Sequence, residues 1–318
     1  MLSPGATAYR GVTLRYGMDP ERLGPLLASR AQWLDADPAT RAWIDDALEH
    51  PHGGWAMAAR GALSKLMSDY DANGLLGTHD MRVLGSAQWR TLLGDRLHGR
   101  LLDVGAGDGH VTAELTGAMV DMSSVVTTEL SPKMAARLRE RGFRCHELDL
   151  ATQALPEPGP FDVIAMLNVL DRSARPLTLL ERLRELLAPR GRLLLAVPLP
   201  LSPHVHVGPL TLEPDERLPL DDRSFEHAAR TLAELCFEPL GLEVCSLSRA
   251  PYLCRGSSKR PVVVLDDSVF VLARRGELAE FTGVSSPYEA PLAADLTLDM
   301  GQLSLPEAVA QLVGRIGR

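Results

Sequence analysis

Between residues 99 and 275, short apolar runs alternate with amphipathic stretches. That alternation predicts βαβ units and a parallel sheet. Strands are expected at Arg100–Val104, Ser124–Thr128, Arg144–Glu147, Phe161–Leu167 and Arg192–Val197, and again at Leu242–Ser248 and Val262–Leu272. The runs LLLAV and VVVL are apolar at every position, as strands covered on both faces require. Helices are expected at Pro132–Arg141, with Ser131 as N-cap, at Pro176–Leu187, closed by Pro189-Arg190-Gly191, and at Ser224–Leu235. Residues 1–98 carry the helical period instead. Leu23, Leu26 and Leu27 mark a helix over Pro20–Arg30. Trp43, Ile44, Ala47 and Leu48 mark one over Pro38–Leu48, with Asp37 ahead of Pro38 at the first helical position. Trp55–Leu66 is a third, after which Asn73-Gly74 and Gly77 break the pattern. No strand is expected in this block. Residues 276–318 form an extension with one helix, Pro306–Ile316.

Composition narrows the function. The chain has 318 residues, 45% of them apolar and 23% charged, which is ordinary for a globular protein. Lys and Arg total 33 against 41 Asp and Glu, a net charge of −8, so a basic nucleic-acid binder is not expected. The four cysteines, Cys145, Cys236, Cys245 and Cys254, form no C-x-x-C pair and read as reduced thiols. The first residues lack a basic region followed by an apolar one, and no apolar run approaches ~18 residues. A soluble, cytoplasmic protein with no membrane partner is the expectation.

The strongest motif is Asp103-Val104-Gly105-Ala106-Gly107-Asp108-Gly109, placed after one predicted strand and before a helical stretch. Its alternate glycines let the backbone turn tightly and approach a ligand. Glu129, at the end of the next strand with Leu130 beside it, stands where ribose hydroxyls are bound in nucleotide-binding βαβ units. The spacing is G-x-G-x-G, and Asp103 and Asp108 flank the loop. Carboxylates there repel a pyrophosphate and suit a cation, so the sign of charge favours S-adenosylmethionine, with its sulfonium and ammonium, over a dinucleotide. Asp149 follows the third strand, where it suits the adenine amino group. Asn168 and Asp171 end the fourth strand, on the side where ligands bind to parallel sheets.

Several blocks together resemble the DREV group of class I methyltransferases: NGLLG (73–77), LLDVGAGDGHVT (101–112), TELSPKM (128–134), LNVLDRSARPLTLL (167–180), GRLLLAVPLPLSPHV (191–205), PYLCRG (251–256) and VVVLDDSVFVL (262–272). The resemblance implies an α/β fold: a Rossmann-like, seven-stranded, mostly parallel sheet at 99–275 behind an N-terminal helical cap region at 1–98. It implies S-adenosylmethionine as cofactor, S-adenosylhomocysteine as product, no metal, and N-methylation of histidine in a peptide or protein at H-x-H segments. Carried over by position, Glu129 holds the ribose, Asn168 and Tyr252 line cofactor and target ring, and Asp171 faces the substrate. Cofactor-binding residues are then Asp103, Gly105, Ala106, Gly107, Gly109, Glu129, Leu130, Asp149, Asn168 and Tyr252; Asp171, Asn168 and Tyr252 are the catalytic set. NGLLG is expected near the cofactor. The chain's own H-x-H segments, His50-Pro51-His52 and His204-Val205-His206, are candidates for self-modification. Two rival readings are a small-molecule or natural-product methyltransferase, including one acting on ribosomal peptides, and a cofactor-binding module without catalysis.

Overall fold

The computed structural model describes residues 5–94, 98–119, 121–219 and 223–276, side chains excepted at 121–123. Residues through Leu278 belong to one compact unit; the second, Ala279–Arg318, with its expected helix Pro306–Ile316, lies outside the described residues.

The N-terminal block opens on a hairpin, β1 (Ala6–Tyr9) and β2 (Val12–Arg15), turned at Arg10-Gly11 with both residues at positive φ. Four helices follow: α1 (Pro20–Arg30), α2 (Pro38–Glu49), α3 (Gly54–Leu63) and α4 (Asp69–Leu76). Then come β3 (Met81–Arg82) and α5 (Ser86–Leu93). Asp37 caps α2 as expected, its carboxylate accepting from Thr40 N at 2.7 Å. The expectation of a strand-free block is corrected by β1, β2 and β3. Asn73-Gly74 does not break a helix either. Ser68 caps α4, Asp69 and Asp71 favour its N-terminal turn, and the stop comes at Gly77 in the left-handed conformation.

The βαβ part runs β4 (His98–Val104), α6 (His110–Ala118), β5 (Asp121–Thr128), α7 (Pro132–Glu140), β6 (Arg144–His146), β7 (Phe161–Leu167), α8 (Pro176–Leu186) and β8 (Leu187–Pro198). A small hairpin, β9 (Val205–Val207) and β10 (Leu210–Leu212), precedes α9 (Phe225–Leu232), which continues into a wider turn over Ala233–Phe237. The long strands β11 (Leu242–Ser257) and β12 (Arg260–Arg274) close the fold. The turn expected at Pro189-Arg190-Gly191 is a bulge within β8: its pairing with β7 passes from Phe161–Leu187 to Val163–Arg192, and Arg190 takes φ +63°.

The main sheet has eight strands rather than seven, in the order β3-β11-β12-β8-β7-β4-β5-β6. β3 is the addition, pairing with Leu253 and Cys254 of β11. The strands from β8 to β6 are parallel and those from β3 to β8 antiparallel. β4 lies between β5 and β7, so successive strands leave it in opposite directions and a crevice opens beyond its carboxyl end. β8 shows why the runs are fully apolar. Leu193, Leu195 and Val197 enter the core under α1, α8 and α9, while Leu194 and Ala196 enter the other, with Leu14, Ile44 and Trp89. Each buried Leu contributes ~1.5–3 kcal/mol. Among the described residues no helix is long and apolar enough to cross a membrane.

Candidate active site

The glycine loop leaves β4 and turns at once. Gly105 has φ +65°, and a Cβ there would lie 2.5 Å from Val169, so the close pass requires glycine. The loop is held from β5. Gly105 N and Ala106 N donate to Thr128 O at 2.9 and 3.1 Å, and Gly107 N donates to Glu129 Oε2 at 2.9 Å. Glu129 Oε1 accepts from Ser131 N at 2.9 Å, at the start of α7. Burial raises the pKa of Glu129, while these amide donors pull it down.

A cleft of about 370 Å³ opens over this loop. Its walls bring together Gly105, Gly107, Glu129, Leu130, Asp149, Asn168, Asp171 and Tyr252. Asp103 and Ala106 line a small annex that shares Gly105, Gly107, Asn168 and Tyr252 with this cleft, and Gly109 lines neither space; it caps α6. Asp103 is buried and accepts from Thr112 Oγ1 at 2.6 Å, and burial pushes its carboxyl up to about 7. Asp108 faces Arg141 and His110 at 3.8 and 3.5 Å. The loop acids are therefore partly neutralised, and the charge argument from sequence rests more on Glu129 and Asp149. Asp149 also caps its own turn, accepting from Ala151 N at 2.9 Å.

At the end of β7 the backbone bends sharply. Asn168 takes φ +61°, its N donating to Ala196 O at 2.8 Å. Its Nδ2 donates to Asp267 Oδ2 at 2.9 Å, and its Oδ1 is buried without a partner. Asp171 follows in a single tight turn, Leu170–Arg172, and is 2% exposed. Its Oδ2 pairs with Arg172 at 3.3 Å, while Oδ1 is buried without a partner. Burial raises its pKa; Arg172 and His204 oppose that. Tyr252 stands across on β11, its hydroxyl donating to Met81 Sδ and its pKa raised by burial. Two residues that line one cleft beside the glycine loop thus each keep a buried acceptor oxygen without a partner.

NGLLG was expected near the cofactor, and its Asn73 lines the cleft. Sequence reasoning missed other parts of the wall: Arg60, Asp69, Tyr70 and His79 come from the N-terminal block. Burial lowers the pKa of His79 and pushes Tyr70 up to about 12. Of the two H-x-H segments, His204 and His206 line the cleft and His50 and His52 do not. His206 meets Tyr70 edge to face at 5.5 Å and His204 at 5.1 Å, and Arg172 touches the His204 ring. Among the described residues no cluster of three or more His, Cys, Asp or Glu is placed to hold a metal ion.

A central parallel sheet with an antiparallel closing hairpin, a glycine loop after β4 and an acid at the end of β5 define the class I methyltransferase fold. The model of the DREV methyltransferase family matches residues 19–274, and the chain belongs to that family. A second family model, adenylylsulphate kinase, matches residues 266–299, from within β12 onward. The curated relatives that the chain matches include adenylyl-sulfate kinases. That of Shewanella sp. (strain ANA-3) is 53% identical over 45 residues, 14% of this chain and 22% of that protein. That of Paraburkholderia xenovorans (strain LB400) is 46% identical over 48 residues, 15% of this chain and 27% of that protein. The chain therefore spans only about a quarter or less of these relatives. Solved structures similar to it include the 1,6-didemethyltoxoflavin-N1-methyltransferase of Burkholderia thailandensis, with 21% identity, TM-score 0.39, and 60% and 76% of the two chains covered. A SAM-dependent methyltransferase of Leishmania major shares 16% identity at TM-score 0.41, covering 73% and 90%.

Proposed function

We propose that the chain binds S-adenosylmethionine and directs methyl transfer to an imidazole nitrogen of histidine in a peptide or protein, at H-x-H segments. The observation that carries this reading is the pair of buried, unpartnered oxygens, Asn168 Oδ1 and Asp171 Oδ1, in the wall of the loop cleft. Such a wall favours an acceptor molecule that brings an N–H, because a buried acceptor left unpaired costs about 1–3 kcal/mol. A neutral imidazole carries one N–H and one lone pair on opposite sides of its ring.

The cofactor fits the residues present. The glycine loop leaves no room for a side chain at Gly105, and Glu129, Leu130 and Asp149 line the same cleft, where Glu129 would accept from ribose hydroxyls and Asp149 from the adenine amino group. When bound, S-adenosylmethionine supplies a methyl group on a positively charged sulfur. Asp171 accepts the ring N–H through Oδ1, which selects the tautomer whose bare nitrogen faces the methyl. The same carboxylate then stabilises the imidazolium, as an orienting aspartate does toward histidine in hydrolase triads. Arg172, 3.3 Å from Oδ2, opposes the rise that burial imposes on that carboxyl and helps to orient it. Most of the rate gain is positional, worth up to ~7–11 kcal/mol.

Incubation with methyl-labelled S-adenosylmethionine and a synthetic H-x-H peptide is expected to label the peptide and to spare its alanine counterpart. Label on free histidine or small heterocyclic metabolites alone overturns the peptide reading. Calorimetric binding of the cofactor with no label on any acceptor marks a non-catalytic module instead.

A further inference from the structure

Asp267 is a buried carboxyl that the chemistry above does not use. It sits on β12 between Pro198 of β8 and Ala250 of β11, with no exposed surface. Its neighbour Asp266 takes Arg15 and Arg249, at 3.2 and 2.8 Å, and no described cation pairs with Asp267 itself. Its hydrogen-bond partner is Asn168 Nδ2, and its Oδ1 has none. Burial pushes the carboxyl well above its ordinary range, the Asn168 bond pulls it down, and Asp171 and Asp266 push it up again. A group this costly to bury needs a return.

Asn168 indicates what that return is. Its backbone is set at φ +61° with N bound to Ala196 O, and its side-chain amide meets β12 through Nδ2. An acceptor on β12 takes the Nδ2 end and leaves the Oδ1 end to the cleft. We propose that Asp267 is a positioning residue for methyl transfer: it holds Asn168 by Nδ2, so that Asn168 Oδ1 is presented to the acceptor molecule. The proposal rests on Asn168 lying in the transfer site, not on the identity of the acceptor. Asp267 lines no part of the cleft and acts only through its neighbour.

Asn73 and Asn168 are the two asparagines of the chain, so selective labelling with 15N-asparagine gives two side-chain amide signals. Asn73 is an internal reference, since its Oδ1 accepts from Thr78 Oγ1 at 2.8 Å in another part of the wall. In Asp267→Leu the Asn168 amide protons are expected to exchange about tenfold faster or more, as for a lost hydrogen bond, with Asn73 unchanged. Asp267→Asn, which retains a carbonyl acceptor, restores the slow exchange. On the H-x-H peptide, Asp267→Leu is expected to lower kcat about 10–100-fold with KM little changed, and Asp267→Asn to recover most of it. In an Asn168→Gly background, Asp267→Leu adds no further loss. If Asp267→Leu does not fold, Asp267→Ala carries the same comparisons. Unchanged Asn168 exchange in the substituted protein, or an equal rate loss in the Asn168→Gly background, overturns the proposal. If the wild-type protein labels no peptide, the histidine reading falls while the exchange comparison still decides this one.

Discussion

Single side chains in this site divide by what their burial does to charge. Burial raises the pKa of Asp171 and Arg172 opposes that rise, and the carboxylate keeps one oxygen unpartnered in a residue that lines the cleft. Asp171→Asn keeps the shape and replaces that acceptor-only group with an amide. Its kcat is expected to fall about 10²–10⁴-fold, in line with an orienting carboxylate, while cofactor affinity by calorimetry stays within a few-fold. Asp103 behaves differently. Its folded pKa, about 7, lies above the ordinary carboxyl value, so between those values the folded state holds more protons than the unfolded one. Stability contributed by this carboxyl is present below its ordinary pKa, is lost as pH rises through about 7, and changes no further above that. The difference in Tm between Asp103→Asn and wild type is expected to grow more favourable to the variant from pH 5 to pH 8, by about several degrees. Thermal unfolding across that range without cofactor checks the sign.

Elements explain which parts of this arrangement were legible in the sequence. The glycine loop, Glu129, Asn168 and Asp171 could be read because each ends a strand whose apolar run is visible by itself. Tyr252 came only from its PYLC block. Much of the rest of the wall belongs to α3, α4, the loop before β3 and the segment that enters β9, which the chain brings in from far away. Their signals were present but overruled. Ser68 with Asp71 three positions on is a capping pattern, yet Asn73-Gly74 read as a breaker. Val12 and Leu14 alternate about the Arg10-Gly11 turn, and β3 is two residues long with no pattern to show. Gly74 is helical for a packing reason. A Cβ there would lie 2.8 Å from the backbone of Lys133 and Met134 on α7. Arg137 seals the contact through Gly74 O at 2.6 Å, and Ser131 Oγ donates to Asp71 at 2.6 Å. Gly74→Ala is therefore expected to cost about 1–3 kcal/mol and to weaken cofactor binding, since α7 begins beside Glu129. Denaturant unfolding and calorimetry measure the two effects.

The whole molecule depends on its N-terminal block more than a cap region suggests. Leu14, Tyr16, Leu34, Ile44 and Trp89 cover one sheet face, and Leu23 and Leu27 help to cover the other. A fragment beginning at His98 exposes both and is expected to show no cooperative thermal transition, which circular dichroism would report; a sharp transition would restore the two-part reading. Among the described residues β3 pairs with β11, and the side-chain amide of Asn168 is held from β12, so elements made early wait for strands made well over a hundred residues after the glycine loop. A polypeptide that stops short of Asp267 leaves Asn168 Nδ2 without its partner, so this wall of the cleft is complete only once β12 has docked.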